Sequence, residues 1–450
     1  MSIEQKILQN LISLSKLKLV KIIHHHLVTE ETMKNYTIHK VIGREILDSR
    51  GNPTVEAEIQ LENGIIAKAS VPSGASTGQF EAKELRDNHK KLYNGKGVQK
   101  AVEYINGIIH QNIRNINVCQ QEKIDNFLCL LDGSKDKSRL GANTLLAVSI
   151  ACCKAAAKTL NIPLFQYIGG IYATKLPRPM MNILNGGAHS NNNLDIQEFM
   201  IVPLQTTSFS QSLRQCTEVY QSLKKILKNH HFSVAVGDEG GFAPHLKSEE
   251  EALSLILEAI LQAGYEPNKD FALALDGAAS EWHHHSENSY KMPKSGKKFS
   301  TQELIAYWEF LVDKYPIISL EDPLAETDWQ GWQLITKKLG KKIQLVGDDL
   351  FVTHTERLEK GIHQECANSI LIKPNQIGTV SETLQCIHCA QNAGYSPIIS
   401  HRSGDTEDSF IADLCVGTNA GQIKAGAPCR GERIAKYNQL LRIEQSLSVQ

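Results

Sequence analysis

The chain has 450 residues, 41% hydrophobic and 22% charged, which is the composition of an ordinary soluble globular protein too long for one hydrophobic core. Its 48 Lys and Arg against 49 Asp and Glu leave a formal charge of -1, which gives no electrostatic reason to expect a nucleic-acid groove or a membrane-binding face. An acidic substrate would need a local cluster of cations. The 10 cysteines are too sparse for a disulfide scaffold and suit a reducing cytoplasm.

Residues 1–35 precede any clear pattern. ILQNLISLSKLKLVKII is apolar, but Lys16, Lys18 and Lys21 interrupt it before a signal-peptide core or a bilayer-length span develops. No membrane span is expected, and no function follows from this extension. From residue 36 the text alternates in the β manner: YTIHKVIGREILDS, then TVEAEIQLENGIIAKASV with a hairpin turn at Asn63-Gly64. The segment FEAKEL reads as helical, as do KAVEYINGIIHQNI and the Ala-rich GANTLLAVSIACCKAAAKTL. Strands first and helices after predict a small α+β domain over residues 36–170, bounded by Pro163, Gly169, Gly170, Pro177 and Pro179.

Residues 171–450 follow another grammar. Short apolar runs end in one polar or charged residue, and a helix-forming stretch comes next. FALALD ends at Asp276, PIISLE at Glu321, KIQLVGD at Asp348, SILIK at Lys373 and SPIISH at His401, with Lys424 after GQI. From Glu321 onward the steps are roughly 25 residues, the length of a strand, two loops and a helix. Consecutive βα units predict a closed α/β barrel of the TIM type, whose site gathers at the carboxyl ends of its strands. One charged residue after an apolar run is usually just an exposed strand end. Six in succession, three acidic and then three basic or imidazole, point to a shared rim. Cys386 and Cys389 spell C-x-x-C, but TLQCIHCAQNAG reads as a helix and makes them neighbours on one face.

Asp276, Glu321 and Asp348 are hard oxygen donors, which suit Mg²⁺ and not zinc or copper. Opposite them stand Lys373, Lys424, Arg402 and Ser403, and an Arg fork matches phosphate oxygens. A lysine near other cations loses pKa and can act as a base. Metal on one side and lysine on the other is a layout for removing a proton alpha to a carboxylate, the metal stabilising the enolate. GDEGG sets Asp238 and Glu239 on a glycine-flanked turn, and a carboxylate beside another tends to hold its proton, making Glu239 a candidate acid. QEFMI sets Gln197 and Glu198 after NGGAHS.

These residues fall in segments that together resemble the enolase family: SGASTG at Ser73 to Gly78, NGGAHS, QEFM, GDEGG, SLEDPLAETDW, DDL, KPNQIGT, SHRSGDTEDSFIADL, GQIKAGAP and RIAKYNQLLRIE. The resemblance runs in order from Tyr36 to Glu444. It implies reversible dehydration of 2-phosphoglycerate to phosphoenolpyruvate, a barrel with an irregular, antiparallel start, and a homodimer or higher homo-oligomer. It also implies Lys373 as base at C2 and Glu239 as acid at the C3 hydroxyl, assisted by Glu198, with His189 and His401 at the catalytic centre. Asp276, Glu321 and Asp348 would hold a first Mg²⁺, and the Ser76 loop would close and help bind a second arriving with substrate. Arg402 and Ser403 would grip the phosphate of this small phosphorylated acid, while Gln197 and Lys424 line the pocket. Asp405, Gly347 and Ala147 depart from the family's usual residues, and the His283 to His285 insert is expected at the surface. Three other readings compete, one of them a paralogue that dehydrates a related phosphonate or phosphorylated acid with the same residues. Gly74 to Gly78 also spells G-x-S-x-G, a hydrolase elbow that needs a helix next. Plasminogen-type display at the cell surface is known in the family, and a chain ending in Gln450 weakens that mode.

Overall fold

The computed structural model describes residues 36–74, 78–284 and 289–449. Its amino-terminal part opens with an antiparallel sheet of β1 (Ile38–Leu47), β2 (Pro53–Leu61) and β3 (Ile66–Ser70). β2 and β3 meet at the expected turn: Gly64 adopts φ +83°, a conformation natural to glycine, and Asn63 Oδ1 accepts the Ile65 N–H. The helix Ala142–Thr159 packs on β2 and β3 and is buried nearly all round, because the barrel covers its other side. KAVEYINGIIHQNI is helical from Gln99, with a π-turn at Ile105–Ile109.

FEAKEL forms no helix. The segment runs as an irregular strap because its backbone groups are taken by distant partners: Ala82 N–H donates to Gln376 O, Lys83 N–H to Asp136 O, and Leu85 N–H to Asn143 Oδ1. Tertiary bonding overrides local propensity here. The helix that a hydrolase elbow would require is therefore absent.

The barrel strands are β4 (Arg178–Asn185), β5 (Glu198–Pro203) and β6 (Phe271–Asp276), followed after a small sheet of β7 (His283–His284), β8 (Ser289–Lys291) and β9 (Lys298–Phe299) by β10 (Ile317–Glu321), β11 (Gln344–Gly347), β12 (Ser369–Ile372), β13 (Ser396–Ser400) and β14 (Gln422–Lys424). The closed order is β4-β5-β6-β10-β11-β12-β13-β14. β5 runs antiparallel to both neighbours and every other pair is parallel, which is the expected irregular start. Met180, Met200, Val202, Ala274, Val346, Leu371 and Ile398 form a separate core within the barrel. Outer helices start at capping side chains, among them Ser208, Ser248, Ser300 and Thr379.

Cys386 and Cys389 lie on helix Val380–Asn392 as free thiols. His284 is exposed, but His283 is half-buried with its ring 4.9 Å from that of Tyr290, and His285 lies outside the described residues. Among the described residues no single helix is long and apolar enough to cross a membrane.

The amino-terminal part is clamped to the barrel by buried polar bonds. The Asp125 carboxylate accepts from Ser381 N–H at 2.9 Å and Ser381 Oγ at 2.7 Å, and Lys154 pairs with Asp408 at 2.6 Å. Ser73 bridges Gly404 in the loop after β13. These contacts set the first domain over the carboxyl ends of the strands.

Candidate active site

All six predicted rim residues stand at one end of the barrel. Asp276, Glu321 and Lys424 are the last residues of β6, β10 and β14, and Asp348, Lys373 and His401 directly follow β11, β12 and β13. Because β5 is reversed, its first residue, Glu198, reaches the same end. Strand register places Asn185, Glu198, Asp276 and Glu321 opposite one another in a single row across four strands. His189, Gln197, Glu198, Glu239, Asp276, Lys373, His401, Arg402, Ser403 and Lys424 line one polar cavity. Ser76 lies outside the described residues. A surface cleft of about 1050 Å³ lies at the opposite end of the barrel, near Arg178 and Gln422, away from these groups.

Lys424 is the hub of the acidic side. Its Nζ lies 2.8 Å from Glu321 Oε2, 3.0 Å from Glu198 Oε2 and 3.2 Å from Asp276 Oδ2. Burial would lower its pKa, but these carboxylates outweigh that and raise it well above the usual lysine value. Glu321 is pushed well above the carboxylate range by burial and by the charge of Asp276, and its Oε1 is buried without a hydrogen-bond partner. A crowded, partly unsatisfied set of buried carboxylate oxygens fits a hard divalent cation. Asp348 is oriented by backbone geometry: the Asp322 carboxylate accepts the N–H of Asp348 at 3.0 Å and of Asp349 at 2.7 Å. Asp322, Asp348 and Asp349 therefore also form a close acidic group, but Asp322 is already engaged in holding that turn.

One expectation is overturned here. Lys373 does not stand as a lysine of lowered pKa. Burial pulls it down, but its ion pair with Asp348 prevails and raises it. Asp348 in turn is raised by burial, yet held below its usual range by Lys373. Sequence spacing placed the two on adjacent strands but gave no sign that their side chains pair. The Lys373 backbone is fixed by Thr353, whose Oγ1 accepts the Lys373 N–H at 2.9 Å while donating to Gln376 Oε1 at 2.7 Å.

On the other side of the cavity, His189, Glu198 and Glu239 each bring one donor or acceptor atom within 4.8 Å of the others. Gly240, at φ +86°, turns the loop so closely on Cys429 that a Cβ would stand 2.9 Å from its carbonyl oxygen, which fixes where Glu239 points. Glu239 Oε2 accepts from Asn182 Nδ2 at 2.9 Å and faces His401 Nε2 at 3.4 Å. Glu198 is driven well above the carboxylate range by burial and then by the charge of Glu239. Glu239 is held well below it, since His401 and His189 outweigh burial. The sequence expectation that Glu239 keeps the proton is reversed in this geometry. Of the two, Glu198 is the carboxyl whose surroundings favour the protonated form. Burial lowers His189, and it lowers His401 to about 4 against the pull of Glu239.

Arg402 presents a fork that is already matched. Its Nη atoms meet the Glu81 carboxylate at 2.9 and 3.2 Å and Asn375 Oδ1 at 3.1 Å. Ser403 follows it, buried, with its carbonyl accepting from Arg433. Gln197 Nε2 donates to Asp276 Oδ2 at 3.3 Å. Sequence reading missed Glu81, Asn182, Gln376 and Arg433. The first sits in a segment that reads as helix and Arg433 in one that is helix, while Asn182 lies inside an apolar strand. None carries a local signal of its place.

Two family models match the chain: the enolase C-terminal TIM barrel domain over residues 173–450 and the enolase N-terminal domain over residues 38–168.

Proposed function

The chain belongs to the enolase family, and on that premise we propose that it is a hydro-lyase that reversibly dehydrates 2-phospho-D-glycerate to phosphoenolpyruvate with Mg²⁺. The family implies an enzyme that uses a divalent metal. The observation that supports the finer reading is the grouping, around one buried cavity, of a carboxylate row at Lys424, a lysine at Asp348, and two neighbouring glutamates beside His189.

In this reading Asp276, Glu321 and Asp348 hold the first cation. A divalent cation held there would supply positive charge toward the substrate carboxylate and beside Asp348. Lys373 then takes the C2 proton, and Lys424 contributes a fixed positive charge beside the developing negative one. Glu239, supplied by Glu198, gives a proton to the C3 hydroxyl, which leaves as water. Arg402 and Ser403 bind the phosphate, and Gln197, His189 and His401 hold the other groups in place. Ser76 and a second Mg²⁺ belong to the same reading, as do a cytoplasmic setting and a homodimer or higher homo-oligomer.

The test is formation of phosphoenolpyruvate, followed by its ultraviolet absorbance, with and without Mg²⁺. Lys373→Ala should abolish exchange of the C2 proton with solvent. Glu239→Gln should retain that exchange and block dehydration. Equal loss of exchange in the two variants would refute the separate roles.

A further inference from the structure

Arg433 is fully buried on helix Gly431–Ser448, an element that delivers none of the rim residues. Its guanidinium donates to the carbonyls of Arg402 at 2.5 Å, Ser403 at 2.6 Å and Asp238 at 3.0 Å, and lies 2.7 Å from His401 Nδ1. A guanidinium carries donors only. Nδ1 must therefore accept, and the proton of the neutral ring is on Nε2. That N–H faces Glu239 Oε2 at 3.4 Å, the same oxygen that accepts from Asn182 Nδ2 at 2.9 Å. The Asn182 hydrogen bond, with the His401 N–H turned toward the same atom at a longer distance, leaves Oε2 the wrong oxygen to carry a proton. On Glu198 a single cation stands at Oε2, Lys424 Nζ at 3.0 Å. The two remaining oxygens, Glu198 Oε1 and Glu239 Oε1, both lie 3.6 Å from His189 Nδ1.

We infer that Arg433, acting through His401, and Asn182 together confine the proton of the glutamate pair to the Oε1 atoms, on the side of His189. The inference rests on the reading of Glu239 as the acid of dehydration and names the oxygen that does the work. As the C3–O bond breaks with its electron pair on oxygen, the proton on Glu239 Oε1 passes to that oxygen and water departs, leaving a carboxylate; hydration runs the same transfer backwards. Arg433 touches no reacting atom and is a positioning residue. With the ring in the other tautomer, its N–H would face the guanidinium donor to donor, and Oε2 would be free to take the proton.

Neutron diffraction on the deuterium-exchanged full chain tests the assignment without substrate. The expected result is a deuteron on His401 Nε2, none on Nδ1, and any deuteron of the pair on an Oε1 atom. A deuteron on His401 Nδ1 or on Glu239 Oε2 overturns the inference. In kinetics, Arg433→Gln should slow dehydration about a hundredfold, the scale of a misplaced acid, while C2 exchange changes only a few-fold. Arg433→Lys, which keeps a donor toward Nδ1, should recover most of the rate. Equal loss of exchange and dehydration in Arg433→Gln would mark a mere prop and also overturn the inference. Should Arg433→Gln not fold, Asn182→Ala removes the other donor and should give the same split. Absence of C2 exchange in the unaltered protein would count against the functional reading, and the neutron result would still decide the proton's place.

Discussion

Gly347 precedes Asp348 at a place where packing leaves no room for a side chain. A Cβ at Gly347 would stand 2.6 and 2.7 Å from Phe351 Cδ2 and Cε2 and 3.1 Å from Leu350 Cβ. Phe351 is fully buried, and its far edge abuts Gly361, so the ring cannot retreat. Overpacking of this kind costs about 1–3 kcal/mol, while replacing a glycine that does not need positive φ returns about 0.4–1 kcal/mol through the unfolded chain. Gly347→Ala should therefore destabilise by about 1–2 kcal/mol. Phe351→Leu alone should cost a similar amount by leaving space. Together the two changes should relieve each other, with a coupling of about 1–2 kcal/mol. The measurement is a double-mutant cycle in urea, followed by tryptophan fluorescence; all 4 tryptophans, residues 282, 308, 329 and 332, lie in the barrel. Turnover should track stability, because the strain bears on the turn that carries Asp348. Additivity within about 0.5 kcal/mol would refute the packing argument.

With divalent cations chelated, stability should fall as pH rises above about 6.5. Glu198, Glu321 and Asp322 have raised folded values, so there the native state binds more protons than the unfolded chain, whereas at lower pH the lowered His189 and His401 oppose this slope. Asp348 is depressed, so its contribution is already complete above its unfolded value and constant there. Mg²⁺ at a hundredfold excess over its dissociation constant should add about 2.7 kcal/mol, and the affinity itself should be higher at pH 7 than at pH 5; a flat profile without metal would sink this. Ser300→Ala removes a capping box with Glu303 at the start of helix Thr301–Lys314 and should cost about 1 kcal/mol in urea while leaving turnover unchanged.

The strand-and-turn alternation and the rim residues were legible in the sequence because each depends on neighbours along the chain. Asp276, Glu321 and Lys424 end short apolar runs, and strands bury such runs while exposing their last residue to the rim. Glu198 breaks that rule: β5 is reversed and brings its first residue there, so the spacing argument alone could not find it. FEAKEL has helical propensity but lends its N–H groups to Gln376, Asp136 and Asn143 across the molecule. Arg433 and Asn182 act on residues far from them in sequence, and nothing local distinguishes them from ordinary core polar groups. The Lys373–Asp348 pair and the reversed proton order of Glu198 and Glu239 arise from three-dimensional charge, which no spacing reports.

The row formed by Asn185, Glu198, Asp276 and Glu321 has a mechanical consequence. Adjacent members are one interstrand step apart, about 4.8 Å, a length fixed by backbone hydrogen bonds. The half of the cavity that handles protons is thereby riveted to the half that gathers cations. Loops above the barrel can rearrange around a guest molecule while the gauge between those halves stays constant.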